Sequence, residues 1–189
     1  MKFFPSKSLE LTVALIKPHA AKVPSVVENI KCDILNNRFF IVKHELTVLN
    51  LELASKMYAV HKSKSFYPRL VGHMTSGPII SFLLARENGI KHWRAMMGMT
   101  RSYEAHVCDP MSLRGLYGLS NTRNVTHGSD SLQSAKEECS IFFPEFNFTK
   151  WYDHEEIYFR NGYVQFIDDL FIHVKQTNDI PKLLLTVQT

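Results

Sequence analysis

The clearest chemistry in the sequence lies in the block Asn124-Val125-Thr126-His127-Gly128-Ser129-Asp130-Ser131, where a histidine precedes a glycine and the start of a predicted helix. A neutral imidazole is a nucleophile that can accept a phosphoryl group. Gly128 lets the backbone turn tightly after His127, which predicts a flexible turn there. Free N–H groups at the beginning of the next helix favour an anion beside the ring. Taken alone, the block also fits a histidine that caps a helix or lies on the surface.

Anion-binding side chains occur elsewhere in the chain. Lys17 ends an apolar, strand-like segment, Arg94 lies on a short predicted helix, and Arg114 lies in a predicted loop. With the hydroxyl of Thr100 and the amide of Asn124, they are the donors that a triphosphate and its ribose require. Each of these residues, considered alone, is more simply explained as a surface group.

Two further features have alternative explanations. Phe66 fits a platform on which a nucleobase stacks, but an aromatic residue at helical spacing also fits the core. The basic run at residues 61–64 (His-Lys-Ser-Lys) fits a solvated face or a surface that meets phosphate. The sequence pattern decides neither case.

Strands and helices alternate along the chain around these residues. Apolar, β-branched segments predict strands over 9–18, 39–49 and 78–85, and apolar spacing predicts helices over 24–36, 51–60, 66–75, 90–97 and 130–143. The last helix is expected to begin with a capping-box pair of Asp130 and Gln133. Residues 101–119 lack a clean period and contain one proline and two glycines, which predicts a long loop. The alternation indicates an α/β or α+β sandwich of helices on a small sheet.

Length, charge and cysteine content narrow the class of protein. The 189 residues fit one domain, and the net charge of +4 suits anionic ligands but is too weak to indicate nucleic acid as a partner. Three widely spaced cysteines without a C-x-x-C pair argue against a disulfide framework or a zinc site, and favour a reducing compartment. The longest apolar run, residues 78–85, is far shorter than the roughly 20 residues of a membrane span. The first ten residues carry no export-signal pattern. We therefore expect an intracellular protein, cytoplasmic or mitochondrial, with no membrane contact.

Taken together and in this order, these residues resemble the nucleoside diphosphate kinases over roughly residues 9 to 153. The resembling positions are 14–18 (Ala-Leu-Ile-Lys-Pro), Tyr58, 66–67, 74–78, Arg94, 97–100, 114–115, 123–131, 134–135, Glu138 and 142–144. The pattern N-x-x-H-G-S-D-S is highly specific for that family. The neighbouring sequence segments, such as SGPI, THGSDS and FFP, are most similar to the divergent type-6 branch.

The resemblance implies an α+β fold, with a ferredoxin-like βαββαβ core, a four-stranded antiparallel sheet and an extra C-terminal segment. It also implies a ping-pong reaction, in which His127 takes the γ-phosphoryl group of ATP or another nucleoside triphosphate and passes it to a nucleoside diphosphate. The expected nucleotide contacts are Lys17, Arg94, Thr100 and Arg114 at the phosphates, Lys17 and Asn124 at the ribose, and Phe66 at the base. The expected neighbours that hold the His127 ring are Tyr58, Ser129 and Glu138. Mg²⁺ would arrive on the nucleotide phosphates, not in a metal site of the protein.

Three departures from the family pattern stand out. His19 follows Lys17-Pro18 where the family usually has aspartate, and the segment 101–113 is three residues longer than the common form. The chain also continues past the usual end, which divides it into an N-terminal extension (1–8), a kinase-like domain (9–153) and a C-terminal extension (154–189). The extension contains an apolar, strand-like segment at 170–174, and it fits either a disordered terminus or an element packed on the core.

These departures leave two hypotheses about function. The first is an active nucleoside diphosphate kinase. The second is a weakly active or inactive member that binds nucleotide and acts mainly through a protein partner. A homo-oligomer contact or a partner would use the segment 101–113 or the C-terminal extension.

Overall fold

A four-stranded antiparallel sheet forms the centre of the protein, which a computed structural model describes over residues 7–176. Its strands are β1 (Glu10–Ile16), β2 (Phe40–Thr47), β3 (Ile79–Arg86) and β4 (Thr126–Gly128), in the order β2-β3-β1-β4. Each neighbouring pair is antiparallel. The predicted strands at 9–18, 39–49 and 78–85 are confirmed, with ends that differ by one or two residues. The α+β, ferredoxin-like fold is confirmed as well.

Helices connect the strands and cover the sheet. They are α1 (Pro18–Ala21), α2 (Pro24–Asn36), α3 (Leu51–Met57), α4 (Tyr67–Met74), α5 (Gly89–Met97), α6 (Ser102–Cys108), α7 (Leu113–Tyr117), α8 (Leu132–Phe142), α9 (Phe148–His154) and α10 (Glu156–Arg160). Short 3₁₀ turns lie at Ala59–His61 and Asp168–Leu170, and a separate hairpin consists of β5 (Val164–Ile167) and β6 (Ile172–Lys175). None of the helices in the described part of the chain is long and apolar enough to cross a membrane.

The central strand β1 is buried on both faces, which explains its nearly continuous apolar sequence. Successive residues of a strand point to opposite faces of the sheet. Val13 and Leu15 therefore join a core on one face, and Ala14 and Ile16 join a second core on the other. Since both layers anchor this strand, the residues that follow it have a rigid base.

The segment 101–119 is not the long loop that the sequence predicts, because most of it folds into α6 and α7. Ser112 caps α7 by accepting a hydrogen bond from Gly115 N at 3.1 Å. A Cβ atom on Gly115 would lie 2.3 Å from the carbonyl oxygen of Asp109, so α7 packs on the turn that follows α6 through a backbone contact that only glycine permits. Helices of seven and five residues are too short to show a clear apolar period.

The N-terminus of α8 carries a capping box, but its residues differ from the predicted pair. Ser131 is the N-cap and exchanges hydrogen bonds with Ser134. Asp130 accepts a hydrogen bond from the Ser134 hydroxyl at 2.7 Å, and Gln133 donates to Glu137 at 2.6 Å. The prediction of Asp130 and Gln133 as the pair was wrong because the N-cap is Ser131, one residue later than predicted.

The C-terminal extension packs on the core as far as it is described. The carboxylate of Glu156 accepts a hydrogen bond from Leu9 N at 2.8 Å, and Nδ1 of His173 accepts one from Ile41 N at 3.0 Å. Tyr158 and Phe159 are buried. The strand-like segment predicted at 170–174 corresponds to β6, and residues 177–189 lie outside the described part. The packed alternative therefore holds for 154–176.

Gly128 offers a direct test of how tightly β4 is packed. A Cβ atom at this position would lie 2.3 Å from Cδ1 of Trp93, which is fully buried. We expect Gly128→Ala to lower the free energy of unfolding by about 2–4 kcal/mol, because the ring or the strand must move. The measurement is urea or thermal unfolding of the full chain.

Gly72 in α4 provides the matched control, because no atom lies within 4 Å of its added Cβ. Gly72→Ala should be neutral or stabilising by up to about 1 kcal/mol, through helix propensity alone. Equal stabilities for the two variants would contradict the packing described for Gly128.

Candidate active site

His127 lies on β4, opposite Leu15 of β1, and not at the flexible turn that the sequence predicts. Its carbonyl oxygen accepts a hydrogen bond from the indole nitrogen of Trp93 at 3.0 Å. Sheet pairing on one side and this indole bond hold the backbone, so the imidazole extends from a rigid base. The turn prediction was wrong because a three-residue strand is too short to recognise from its pattern.

The imidazole of His127 is oriented by a chain of hydrogen bonds. Nε2 of His127 lies 2.7 Å from Oε1 of Glu138, and Oε2 of the same carboxylate accepts a bond from the Ser129 hydroxyl at 2.6 Å. Ser129 Oγ in turn accepts the Val13 N–H at 3.0 Å. A carboxylate can only accept hydrogen bonds, so Nε2 carries the proton and Nδ1 keeps its lone pair. The nitrogen available as a nucleophile is therefore Nδ1.

Glu138 is expected to contribute to the rate and not to nucleotide binding. In Glu138→Ala the ring loses the partner that orients it, and misplacement of a reacting group by about 1 Å costs roughly 100-fold in rate. We expect kcat to fall by about that factor while KM stays nearly unchanged. Steady-state kinetics with a nucleoside triphosphate and a diphosphate acceptor measure both.

Glu137→Ala is the matched control, because Glu137 is an exposed carboxylate on the same helix. It should behave like the unmodified protein. A similar kcat for the two alanine variants would argue against an orienting role for Glu138.

Tyr58 lies beside the imidazole on the other side. Its ring meets the His127 ring edge-on, with centroids 6.0 Å apart. Burial, together with the charge of Glu138, raises the pKa of the Tyr58 hydroxyl above its usual value. The hydroxyl therefore remains protonated, and it has no hydrogen-bond partner among the described residues. It is a neutral donor beside the His127 imidazole.

Lys17 follows β1 and is only 5% exposed. Its ammonium donates to Oδ1 of Asn124 at 2.6 Å and to the carbonyl oxygen of Thr122 at 3.4 Å. Both of these partners are neutral. Burial, reinforced by the positive charge of Arg114, lowers the pKa of Lys17 to about 7. A phosphate group arriving here would meet a cation that lacks a counter-charge among these contacts.

Arg114 extends from α7 towards β4 and is also buried. Its guanidinium donates to the carbonyl oxygens of Gly98 at 2.9 Å and Thr126 at 3.2 Å, and Thr100 Oγ1 lies 3.5 Å away. Burial and the nearby charge of Arg94 lower its pKa to about 10, so it stays charged at neutral pH. Nε of Arg114 has no partner among the described residues.

The remaining predicted site residues lie towards the surface. Arg94 and Thr100 are exposed, and Phe66 is 37% exposed at the start of α4. The main-chain oxygen of Thr100 accepts a bond from the Asn124 amide at 2.9 Å, which links it to the Lys17 side of the site. The ring of Phe66 lies 5.6 Å from that of His61, and Lys62 and Lys64 of the basic run are exposed. Phe66 thus presents an accessible ring.

His19 and His73 form a pair near Lys17 that the sequence analysis did not predict. Nδ1 of His19 and Nε2 of His73 are 3.1 Å apart. Burial is the largest cause that lowers the pKa of each ring to about 4, and the positive charge of Lys17 contributes to both. Both rings are neutral at physiological pH. They lie 54 residues apart in the chain, so no local pattern could have paired them.

Val125 is a second feature that the sequence did not reveal. This buried, β-branched residue has a φ of 70°, a region that disfavours such side chains. Its carbonyl oxygen accepts the Lys17 N–H at 2.8 Å. The strained backbone therefore ties the end of β1 to the start of β4, which brings Lys17 and His127 to the same edge.

The donors of the site are ammonium, guanidinium, hydroxyl and amide groups, which fit the oxygens of a phosphate chain. Among residues 7–176 there is no cluster of three or more His, Cys, Asp or Glu side chains that could hold a metal ion. This donor set accommodates a magnesium ion that arrives on the phosphates.

Proteins of known family with similar sequences are nucleoside diphosphate kinases. The family model for nucleoside diphosphate kinase matches residues 10–148. Nucleoside diphosphate kinase 6 of Danio rerio is 45% identical over 172 residues, covering 90% of this chain and 98% of the relative. The protein of that name from Homo sapiens is 42% identical over 167 residues, covering 88% and 90%. The similarity to the type-6 branch is confirmed, whereas the domain boundary at 153 stays a prediction.

Solved structures agree with the sequence matches. The nucleoside diphosphate kinase of Aquifex aeolicus superimposes with a TM-score of 0.69 at 32% identity, over 72% of this chain and 96% of that one. A halophilic nucleoside diphosphate kinase from Halobacterium salinarum, in complex with CDP, gives 0.66 at 27% identity, over 71% and 87%. With the orienting contacts around His127, these matches show that the chain belongs to the nucleoside diphosphate kinase family of phosphotransferases.

Proposed function

We propose that this nucleoside diphosphate kinase carries the transferred phosphoryl group on Nδ1 of His127. The observation that carries the proposal is the hydrogen bond from Nε2 to Glu138, which leaves Nδ1 with a free lone pair on a rigid strand. A nucleophile of this kind divides one transfer between two nucleotides into two transfers to and from the enzyme.

In the first step the lone pair of Nδ1 attacks the γ-phosphorus of a nucleoside triphosphate. The N–P bond forms as the bond from that phosphorus to the β,γ-bridging oxygen breaks, and the nucleoside diphosphate leaves with the electron pair. Nε2 keeps its proton throughout, and the carboxylate of Glu138 stabilises the positive charge that develops on the ring. In the second step a terminal oxygen of another nucleoside diphosphate attacks the phosphorus, and Nδ1 recovers its lone pair.

The nucleotide is held by the cationic and polar residues around this histidine. The proposed contacts are Lys17, Arg94, Thr100 and Arg114 for the phosphates, Lys17 and Asn124 for the ribose, and Phe66 for the base. A cleft of about 610 Å³, lined in part by residues 120–123 and by Arg69 and His73 of α4, lies next to Lys17, whose ammonium contacts the carbonyl oxygen of Thr122. The Halobacterium relative binds CDP, which supports a nucleotide ligand here. Stacking on Phe66 would accept any base, since every base has a π face.

Magnesium is proposed to enter with the nucleotide. Bound to the phosphate oxygens, the ion would neutralise part of their negative charge. Lys17 and Arg114 bring positive charge to the same phosphates, and Tyr58 and Thr100 add neutral donors. These residues align the phosphate chain with Nδ1 of His127.

The test uses the full chain with γ-labelled ATP. We expect an acid-labile, base-stable label on the protein, and we expect that label to move to added nucleoside diphosphate. If protein that binds nucleotide carries no acid-labile, base-stable label, the proposal is contradicted.

We also propose that the segment 101–113 contacts a second copy or a protein partner, with the C-terminal extension as a further contact. In support, Tyr103, Val107 and Met111 are large apolar residues that are 79%, 66% and 80% exposed. Apolar residues grouped on a surface indicate an interaction site. In the alternative reading, the protein turns over weakly and acts mainly through this contact.

Gel filtration and the label assay together distinguish the active kinase from a weakly active or inactive protein that acts mainly through a partner. A monomer with poor turnover that regains activity with a partner favours the alternative. An assembly, or a monomer, with full turnover favours the active kinase. Met111→Glu should weaken whichever contact uses this segment.

A further inference from the structure

His106 makes two contacts that the proposed mechanism does not use. Its Nδ1 lies 2.5 Å from the carbonyl oxygen of Gly115, and its Nε2 lies 2.9 Å from the carbonyl oxygen of Gly118. The histidine belongs to α6, whereas Gly115 belongs to α7 and Gly118 is the residue that follows α7. One side chain therefore bridges two helices through both of its nitrogens.

The chemistry of the two partners fixes the form of the ring. A carbonyl oxygen accepts hydrogen bonds and cannot donate them. Both nitrogens of His106 must then donate, which only the doubly protonated, cationic ring can do. A neutral ring would direct one lone pair at a carbonyl oxygen and lose that bond. The positive charge also suits the carbonyl groups at the C-terminal end of α7.

The bridged helix carries a nucleotide-binding residue. Arg114 lies on α7, and its guanidinium donates to the carbonyl oxygen of Thr126, directly before His127. The residue that follows α7 packs so closely on α6 that a Cβ on Gly118 would lie 2.6 Å from the Ser102 hydroxyl. A shift of α7 against α6 is therefore transmitted to the Arg114 guanidinium.

We propose that His106 is a positioning residue whose protonated ring clamps α7 and thereby places Arg114 for the nucleotide phosphates. Loss of the imidazole removes both bonds of the clamp and weakens phosphate binding. The proposal rests on the proposed function, and it adds a positioning element outside the reacting groups.

The other ionisable groups on α6, α7 and the adjoining segment do not pair with the His106 ring in the described part of the chain. On α6 itself, Glu104 is paired with Arg101 at 2.8 Å. On α7, the guanidinium of Arg114 points towards Gly98 and Thr126, and the hydroxyl of Tyr117 accepts a bond from Asn29. The other ionisable groups on these helices and the adjoining segment are Tyr103, Cys108, Asp109 and Arg123. Within the described chain, none of these residues forms a hydrogen bond or an ion pair with the His106 ring.

The first test compares KM for the nucleoside triphosphate in His106 variants at about pH 6, where Lys17 is still charged. His106→Ala should raise KM about five- to tenfold and leave kcat within about twofold, because charge-assisted bonds that only position Arg114 are lost. His106→Arg should restore the unmodified KM, since it keeps a positive charge and several N–H donors, and the exposed position has room for it. His154→Ala, which removes an exposed histidine elsewhere, is the control.

The second test is amide hydrogen exchange of residues 113–118 without nucleotide, corrected for intrinsic rates. Protection should be lower in His106→Ala than in the unmodified protein and should be restored in His106→Arg. An unchanged KM in His106→Ala, failure of His106→Arg to restore KM, or equal protection in His106→Ala and the unmodified protein would each overturn the proposal. Because the protein label on His127 does not depend on the clamp, these failures would leave the proposed function standing.

Discussion

Replacing His127 with alanine is expected to eliminate the covalent label and to lower phosphoryl exchange by at least about 1,000-fold. The reason is that, among the described residues, His127 is the one histidine whose ring is held by a carboxylate. Nδ1 of His127 has this role because Glu138 holds the opposite nitrogen. The measurements are label incorporation from γ-labelled ATP and steady-state exchange between two nucleotides.

The variant should keep its fold and its nucleotide site. The His127 backbone is held by pairing with Leu15 and by the indole of Trp93, and neither contact uses the imidazole. Unfolding and nucleotide-binding measurements on His127→Ala should therefore match those of the unmodified chain. The control is His92→Ala, which removes another histidine at a distance from the phosphates and should retain the label. Label that persists in His127→Ala would rule out this residue as the phosphoryl carrier.

Lys17 is expected to make nucleotide capture pH-dependent in the neutral range. Burial, with the charge of Arg114, lowers its pKa to about 7, and only the protonated form attracts phosphate. As pH rises through 7, the free enzyme loses this cation, so kcat/KM should fall by up to about tenfold per pH unit. The measurement is kcat/KM for the triphosphate between about pH 6 and pH 9.

The His19 position offers a way to shift that profile. His19→Asp places a carboxylate beside Lys17, where the present His19–His73 pair is neutral. A nearby negative charge favours the protonated lysine. The fall in kcat/KM should therefore move to higher pH in this variant. An identical profile in both proteins would contradict the assignment to Lys17.

Lys17→Met should separate catalysis from stability. We expect kcat/KM to fall by about 100- to 1,000-fold at about pH 6, since a buried cation at the phosphate site is lost. The apo protein should become more stable at that pH. The folded state holds Lys17 at a pKa below the unfolded value of 10.5, so folding opposes its protonation.

The sign of the pH effect on stability follows from the same pKa. Between about pH 7 and 10.5 the unfolded chain binds more protons at Lys17 than the folded chain does, so this group adds stability as pH rises. The advantage of Lys17→Met in melting temperature should therefore shrink from about pH 6 to pH 9. If Lys17→Met were less stable than the unmodified protein at about pH 6, the burial of an uncompensated charge at Lys17 would be ruled out.

Much of the fold could be predicted because its longest elements have strong periodic patterns. The helix predicted at 24–36 coincides with α2, and the buried strand predicted at 9–18 contains β1. The helices in segment 101–119 could not be predicted from the sequence, since α6 and α7 are stabilised by contacts between the two helices and not by an internal period. β4 was missed for the same reason, because its pairing with β1 creates it.

The sequence by itself determined which groups are present: a histidine in a specific block, the lysine at the end of a buried strand, and the arginines and asparagine that follow. It also indicated their family. Only the tertiary structure decided which nitrogen of His127 is free, that Lys17 meets neutral hydrogen-bond partners within the described residues, and that His106 bridges two helices. These properties depend on distances between residues far apart in the chain, and hydrogen bonding and burial act through space. Periodicity and spacing describe neighbours along the chain, so they do not contain this information.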